Sequence, residues 1–315
     1  MYKFAKLAHA WLLLVLILLS GAVYANGPLG SKDNPYVFSA PPRESVERGE
    51  EVYGPIAELL TRTTGRHFSY WHPGEKDWLS YTSKMRNGEY DMIFDGPHFV
   101  GWRTNLIKHT PVLSLQHEHV WVVIGTRDAR KYKRRPINKL DDLAGRRVCV
   151  HAPPNFGTLT LLSLFDNPVR QPTLIPIAGW KNAFLGVRDG KCEGAILPKG
   201  KYKKFKKKLD PADMFVAKLY QHRPYPNQAI TVGPRIKESL RKKIVEVLQS
   251  DLGMSATAKL RKRYNKNKPF KKVANKRVYD EPALVLRDFM GFEYDPKVVN
   301  AANLVKQVAA NKKNK

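Results

Sequence analysis

The chain has 315 residues, 43% of them hydrophobic, which is enough for two cored domains and too much for a disordered chain. Fifty-five Lys and Arg against 28 Asp and Glu give a net charge of +27, which excludes an acidic solvating protein and points to anionic partners. Two cysteines exclude a disulfide-dense scaffold.

Residues 1–25 carry Lys3 and Lys6, then an unbroken apolar run over 11–19, and end in Val23-Tyr24-Ala25. A basic start, an apolar middle and a small-residue exit are the layout of a cleaved secretory signal. The run is about half of the roughly 20 residues that a membrane-spanning helix needs. Cleavage before Asn26 predicts an exported mature chain, and loss of Lys3 and Lys6 lowers its charge from +27 to +25. No cysteine stands near the exit, so no lipid anchor is expected.

From residue 36 the pattern alternates β-rich runs with amphipathic stretches. Strands are predicted over 36–40, 67–71 and 92–94, with helices over 47–64 and 76–87 between them. The first helix carries Val52, Ile56, Leu59 and Leu60 at helical spacing and stops at Gly65, which accepts a left-handed cap. Gly96 and His98 open a helix after the third strand. The rhythm then restarts: strands over 119–125, 147–150, 174–177, 194–197 and 215–219, with helices over 158–165 and 180–188. A strand over 229–232 and helices over 236–249, 256–264, 283–289 and 298–308 complete the chain. Residues 301–315 form a basic C-terminal tail, and its Lys/Asn stretch beyond the last helix reads as disordered. This order predicts an α/β fold of two lobes, each a mainly parallel sheet flanked by helices. Residues 26–118 and 223–300 form a discontinuous first lobe, and 119–222 the second. One lobe interrupted by another requires two crossings, placed at 116–119 and 221–228, which make a two-strand hinge. Ligands bind between such lobes, beyond the carboxyl ends of the strands.

The charge is concentrated. Residues 199–208 hold seven lysines, and 259–277 hold ten basic residues and no acid. Few aromatics interleave with them and no nucleic-acid module accompanies them, so nucleic acid is not an expected partner. They read as a solvated basic face, with weak attraction to an anionic membrane surface as the alternative. Cys149 and Cys192 lie in or beside core strands, where a disulfide and two buried thiols are equally open readings.

The residues Gly88-Glu89-Tyr90-Asp91-Met92-Ile93-Phe94-Asp95-Gly96-Pro97-His98, Leu140-Asp141-Asp142-Leu143-Ala144-Gly145-Arg146-Arg147-Val148 and Gly190-Lys191-Cys192-Glu193-Gly194-Ala195, in that order, carry a resemblance. With the Leu-rich stretch over 240–248, they make the chain similar to phosphonate/phosphite-type periplasmic solute-binding proteins of ABC transporters, which have the type 2 periplasmic-binding fold. The resemblance implies a periplasmic, monomeric receptor that hands a small ligand to an inner-membrane ABC permease, with no cofactor and no catalysis. It also implies an oxyanion seat after the first strand of the second lobe, here Pro153-Pro154-Asn155-Phe156-Gly157-Thr158. The family's run of hydroxyls is mostly missing there, leaving Asn155 and Thr158 to hydrogen-bond and Gly157 to admit a ligand to the backbone. Asp95 stands where the family tends to place a tyrosine. An ionised Asp95 in the cleft would seek a hydroxyl or ammonium, so the expected ligand is an oxyanion or a zwitterion.

Position adds Ser39 at the end of the first strand, Gly96 and His98 after the third, Trp180 and Lys181 at the helix after residue 177, and Tyr225 at the second crossing. The loop Arg43-Glu44-Ser45 borders the mouth. Each has a plainer reading: Trp180 as helix packing, Asn155 as a helix cap, Lys181 as a solvated cation. The alternative functions are a sensory or metal-binding protein on the same fold. His117-Glu118-His119, His98 and His151 are the candidate ligands for a metal, but no HxxxH or Cys/His box supports one. The absence of a G-x-S-x-G elbow, a P-loop or a zinc box speaks against an enzyme.

Overall fold

The computed structural model describes residues 27–127, 137–165 and 167–295. The signal segment, the helix expected over 298–308 and the basic tail lie outside them. The first elements form for local reasons. Helix α1 (Val46–Thr64) begins where the Ser45 side chain accepts from the Arg48 N–H, and it ends at Gly65 with φ +67°, the left-handed cap its sequence predicts. Its Val52, Ile56, Leu59 and Leu60 are buried, each contributing about 1.5–3 kcal/mol. Around it run β1 (Tyr36–Ser39), β2 (Phe68–Trp71), α2 (Trp78–Arg86), β3 (Met92–Asp95), α3 (Pro97–Asn105) and β4 (Thr110–Ser114).

The second lobe follows: β5 (Trp121–Thr126), β6 (Arg147–Val150), α4 (Phe156–Leu162), β7 (Thr173–Pro176), α5 (Trp180–Arg188), β8 (Gly194–Pro198), α6 (Lys199–Leu209) and β9 (Val216–Gln221). The chain then returns through β10 (Ala229–Val232), α7 (Glu238–Gln249), α8 (Asp251–Ala256), α9 (Ala258–Tyr264), β11 (Lys271–Lys272) and α10 (Asp280–Met290). Two sheets result, ordered β11-β4-β10-β3-β1-β2 and β7-β6-β8-β5-β9.

Each sheet is mixed rather than mainly parallel. β1 is parallel to β2 and β3, and β6 to β7 and β8, as the sequence rhythm predicts. β10 runs antiparallel to β3 and β4, and β5 antiparallel to β8 and β9. The cause is topological: β5 and β10 each enter a lobe from a crossing at the carboxyl edge of the parallel strands, so they must run the other way. The crossings lie side by side. His119 and Tyr225 exchange backbone hydrogen bonds of 2.8 and 2.9 Å, Leu115 N–H donates to Gln228 O at 3.0 Å, and the Asn227 amide donates to His117 O at 2.8 Å.

Besides the short α8 and β11, two elements escaped the sequence pattern. β4 precedes the first crossing, and the lysine run is itself a helix, α6. Tyr202, Phe205 and Leu209 seat α6 on a core that includes Val122, Ile124, Phe184 and Leu197. Cys149 and Cys192 are bonded, with Cα atoms 5.7 Å apart across 43 residues of chain. A loop of that length corresponds to about 4 kcal/mol of stabilisation in the chain-entropy account. Gly186 makes room for the bond, since a Cβ there would stand 2.7 Å from the Cys149 sulfur. Helix α10 lies along α3 and also meets α4, so the end of the described chain touches both lobes.

Candidate functional site

Between the lobes lies a cleft of about 1260 Å³. Its walls are the segments that follow strand ends: Arg43 after β1, Gly96 after β3, His151 after β6, Ile177 after β7 and Lys199 after β8, with His119 and Gln228 of the crossings at its back. Of the residues expected at the site, Gly96, Asn155 and Trp180 line this space.

On the first-lobe side the expectation for Asp95 fails. Its carboxylate is fully buried and does not face the cleft. Arg103 Nη1 donates to it at 3.1 Å, Arg43 Nη2 at 3.4 Å and the Gly96 N–H at 2.5 Å, and the Tyr81 hydroxyl donates as well. A buried carboxylate demands such company, because an unpaired one would cost several kcal/mol. Asp95 is therefore held within the chain and lends no support to a zwitterionic ligand. Two guanidiniums on one carboxylate leave a surplus positive charge, carried into the cleft by Arg43, whose side chain keeps 27% exposure. Arg43 is the site residue that sequence reasoning left at the mouth. Ser39 is buried with its hydroxyl on Trp71 O at 3.0 Å, so it too stands away from the cleft.

The second-lobe side is likewise self-satisfied. The Asn155 Oδ1 accepts from the Gly157 and Thr158 N–H groups at 3.0 and 3.4 Å, capping α4 itself. The amides expected to receive an oxyanion already have an acceptor. The Thr158 hydroxyl, fully buried, donates to His151 O. Gly157 does not line the cleft; its missing side chain leaves room for the Trp121 ring, which a Cβ would meet at 2.6 Å. Lys181 is exposed at the start of α5 and does not line the cleft. Tyr225 is buried behind the hinge, with its hydroxyl 3.1 Å from His222 Nε2.

Where these two sides meet, His98 closes the gap. Its Nε2 lies 3.0 Å from Pro154 O, and its ring stacks on Phe156 with centroids 5.1 Å apart. Burial, and then the Arg43 charge, hold the His98 imidazole well below its ordinary pKa, so it is neutral. Burial does the same to His119, with His117 and Arg43 adding, and takes it down to about 3. Among the described residues, no three His, Cys, Asp or Glu side chains gather as a metal would need, and no helix is long and apolar enough to cross a membrane.

What remains open in the cleft is aromatic and cationic. Trp121 and Trp180 stand with centroids 5.7 Å apart, and His151 stacks on Trp180 at 3.7 Å with the ring planes nearly parallel. Lys199, Lys201, Lys203 and Lys204 of α6 line one rim, and Lys262, Arg263 and Lys266 the other, against a single acidic lining residue, Glu118. The lysine run is thus not only a solvated face. Its alternation of Lys with Tyr202 and Phe205 was the readable sign that one side is packed and another turned elsewhere.

Two α/β lobes on a two-strand hinge, with a cleft at their strand ends, define a solute receptor of the type 2 periplasmic-binding fold. The profile of the ABC-transporter phosphonate periplasmic substrate-binding proteins matches residues 38–277, and the chain belongs to that family. Its members bind solutes for transport and are not enzymes. The fold is shared with PhnD1 of Prochlorococcus marinus in complex with methylphosphonate, at TM-score 0.57 and 11% identity over 82% of this chain and 98% of that one. A Xanthomonas citri protein bound to ATP aligns at TM-score 0.61 and 14% identity over 80% and 97%. A binding-protein component of a phosphonate ABC transporter from Pseudomonas aeruginosa aligns at TM-score 0.52 and 11% identity over 89% and 97%. No curated protein matches the chain.

Proposed function

We propose that this protein is a periplasmic receptor that captures a small anion of phosphonate type between its lobes and delivers it, as a monomer, to an inner-membrane ABC permease. The observation that carries the reading is the charge of the cleft, where Arg43, Lys76 and the two basic rims face one carboxylate, Glu118. Such a lining concentrates anions and favours their entry. The matched family and its methylphosphonate-bound neighbour support the phosphorus chemistry. The bonded Cys149 and Cys192 suit an oxidising compartment.

Isothermal titration with methylphosphonate, phosphate and sulfate tests the anion, and small-angle scattering tests the clamp. The reading expects saturable binding of at least one anion, a smaller scattering radius on binding, and a loss of affinity in Arg43→Gln of about tenfold or more. Binding of neutral or cationic solutes in preference to all of these anions would overturn it.

A further inference from the structure

We infer that the ligand of this cleft is larger than a single oxyanion: a molecule with at least two anionic groups on a body that includes a flat ring. The inference rests on the receptor reading above and deepens it. It starts from what is closed. The α4 start is occupied by Asn155, and His98 with Pro154 and Phe156 fills the ground between the lobes, so one compact anion finds no ring of free amides there. The unsatisfied groups stand farther out, and they are of two kinds.

The first kind is charge. Helix α6 begins with Lys199 and Lys201, has no acidic residue in its first turn and no side-chain cap. Cations at the positive end of a helix dipole are unfavourable unless something anionic offsets them. Among the described residues, no carboxylate pairs with Lys199, Lys201, Lys203 or Lys204, whereas Lys206, turned away from the cleft, pairs with Asp210 and Asp213. Lys262 and Lys266 face them from the other lobe. Cations on both rims, with Arg43 at depth, suit anionic groups held apart on one molecule.

The second kind is the aromatic wall. Trp121 is 2% exposed and its Nε1 has no hydrogen-bond partner; His151 Nε2 is also buried without one. Both residues line the cleft. An indole N–H left buried and unpaired is unfavourable, so it marks a place where a ligand acceptor belongs. The wall and the charge are contiguous: Trp121 is paired with Pro198 across β5 and β8, and the Lys199 N–H donates to Val120 O at 2.8 Å. A ring against Trp180 and His151 would put its substituents within reach of the α6 start.

Four probes separate the two requirements: methylphosphonate, phenylphosphonate, methylenediphosphonate, and a benzene ring bearing two phosphonates. Titration calorimetry is expected to rank the ringed diphosphonate at least about tenfold above methylphosphonate, with the other two between, and the ringed probes are expected to quench tryptophan fluorescence. The combined variant Lys199→Gln, Lys203→Gln, Lys204→Gln should lose about tenfold or more for both diphosphonates and less than about threefold for methylphosphonate. The control Lys207→Gln, Lys208→Gln, on the same helix but off the cleft, should change neither. Methylphosphonate binding as tightly as the ringed diphosphonate, or equal losses in variant and control, overturns this inference and leaves the receptor reading standing. Binding of none of the four overturns both.

Discussion

The floor and the rim of the cleft hold similar chemistry and treat it in opposite ways. At the floor the carboxylate and the helix amides have partners within the chain: Asp95 has Arg103, Arg43 and Tyr81, and the α4 amides have Asn155. At the rim, Lys199, Lys201, Lys203 and Lys204 lie in the first half of a helix and have no counter-charge among the described residues. Burial explains the contrast. A charge away from water must be compensated by the protein, whereas a charge at the surface can be left for solvent or for a ligand. Apart from Arg43, which is shared between Asp95 and the cleft, floor polarity serves stability, and under the proposed function rim polarity serves recognition.

Substitutions should divide along that line. The largest effect belongs to Asp95→Asn, which leaves Arg43 and Arg103 facing each other with the counter-charge gone. Urea unfolding should show a loss of about 3–5 kcal/mol, the usual result of breaking a buried ion pair. A loss below about 1 kcal/mol would mean that the floor is not compensated as described.

Acid should weaken the floor next. His98 and His119 are neutral in the folded protein and take up protons freely once unfolded, so the unfolded state gains protons as pH falls below about 6.5. Folding stability contributed by each is present above that pH and declines by up to about 1.4 kcal/mol per pH unit below it, down to about pH 3 for His119. Unfolding midpoints measured between about pH 7.5 and pH 5.5 should fall, and His119→Gln should flatten the slope. An identical slope in that variant would place the proton uptake elsewhere.

A smaller change is expected for Asn155→Ala, which removes the α4 cap and should cost about 0.5–2 kcal/mol while leaving two N–H groups without their acceptor. The smallest effect has the opposite sign. Lys199→Gln should raise stability by about 0.3–1 kcal/mol, because it removes a cation from the positive end of α6. Destabilisation by Lys199→Gln would show that this lysine has a structural partner and would blur the line between floor and rim.

Much of the architecture was legible because it rests on local signals. The Gly65 cap and the helical stripe of α1 were both written in residue type and spacing. Asn155 as a helix cap was one of two readings available, and the plainer one describes what its side chain does. What local pattern could not carry was long-range pairing. Nothing near Asp95 in sequence announces Arg43, 52 residues away, and only the helix beyond β3 brings Arg103 back to it. Gly157 looked like an invitation to a ligand because nothing in the sequence says that Trp121 of another strand will lie against it. The lysines of α6 read as a solvated face for the same reason: which side of a helix meets a cleft depends on the other lobe.

Which N–H and cationic groups an anion touches is seen most directly in a crystal structure of the receptor with a phosphonate bound. It is expected to show the phosphorus group on the side of Arg43 and the α6 lysines, with Asn155 still capping Gly157 and Thr158. A phosphonate seated on the Gly157 and Thr158 N–H groups, with the Asn155 side chain displaced, would contradict it.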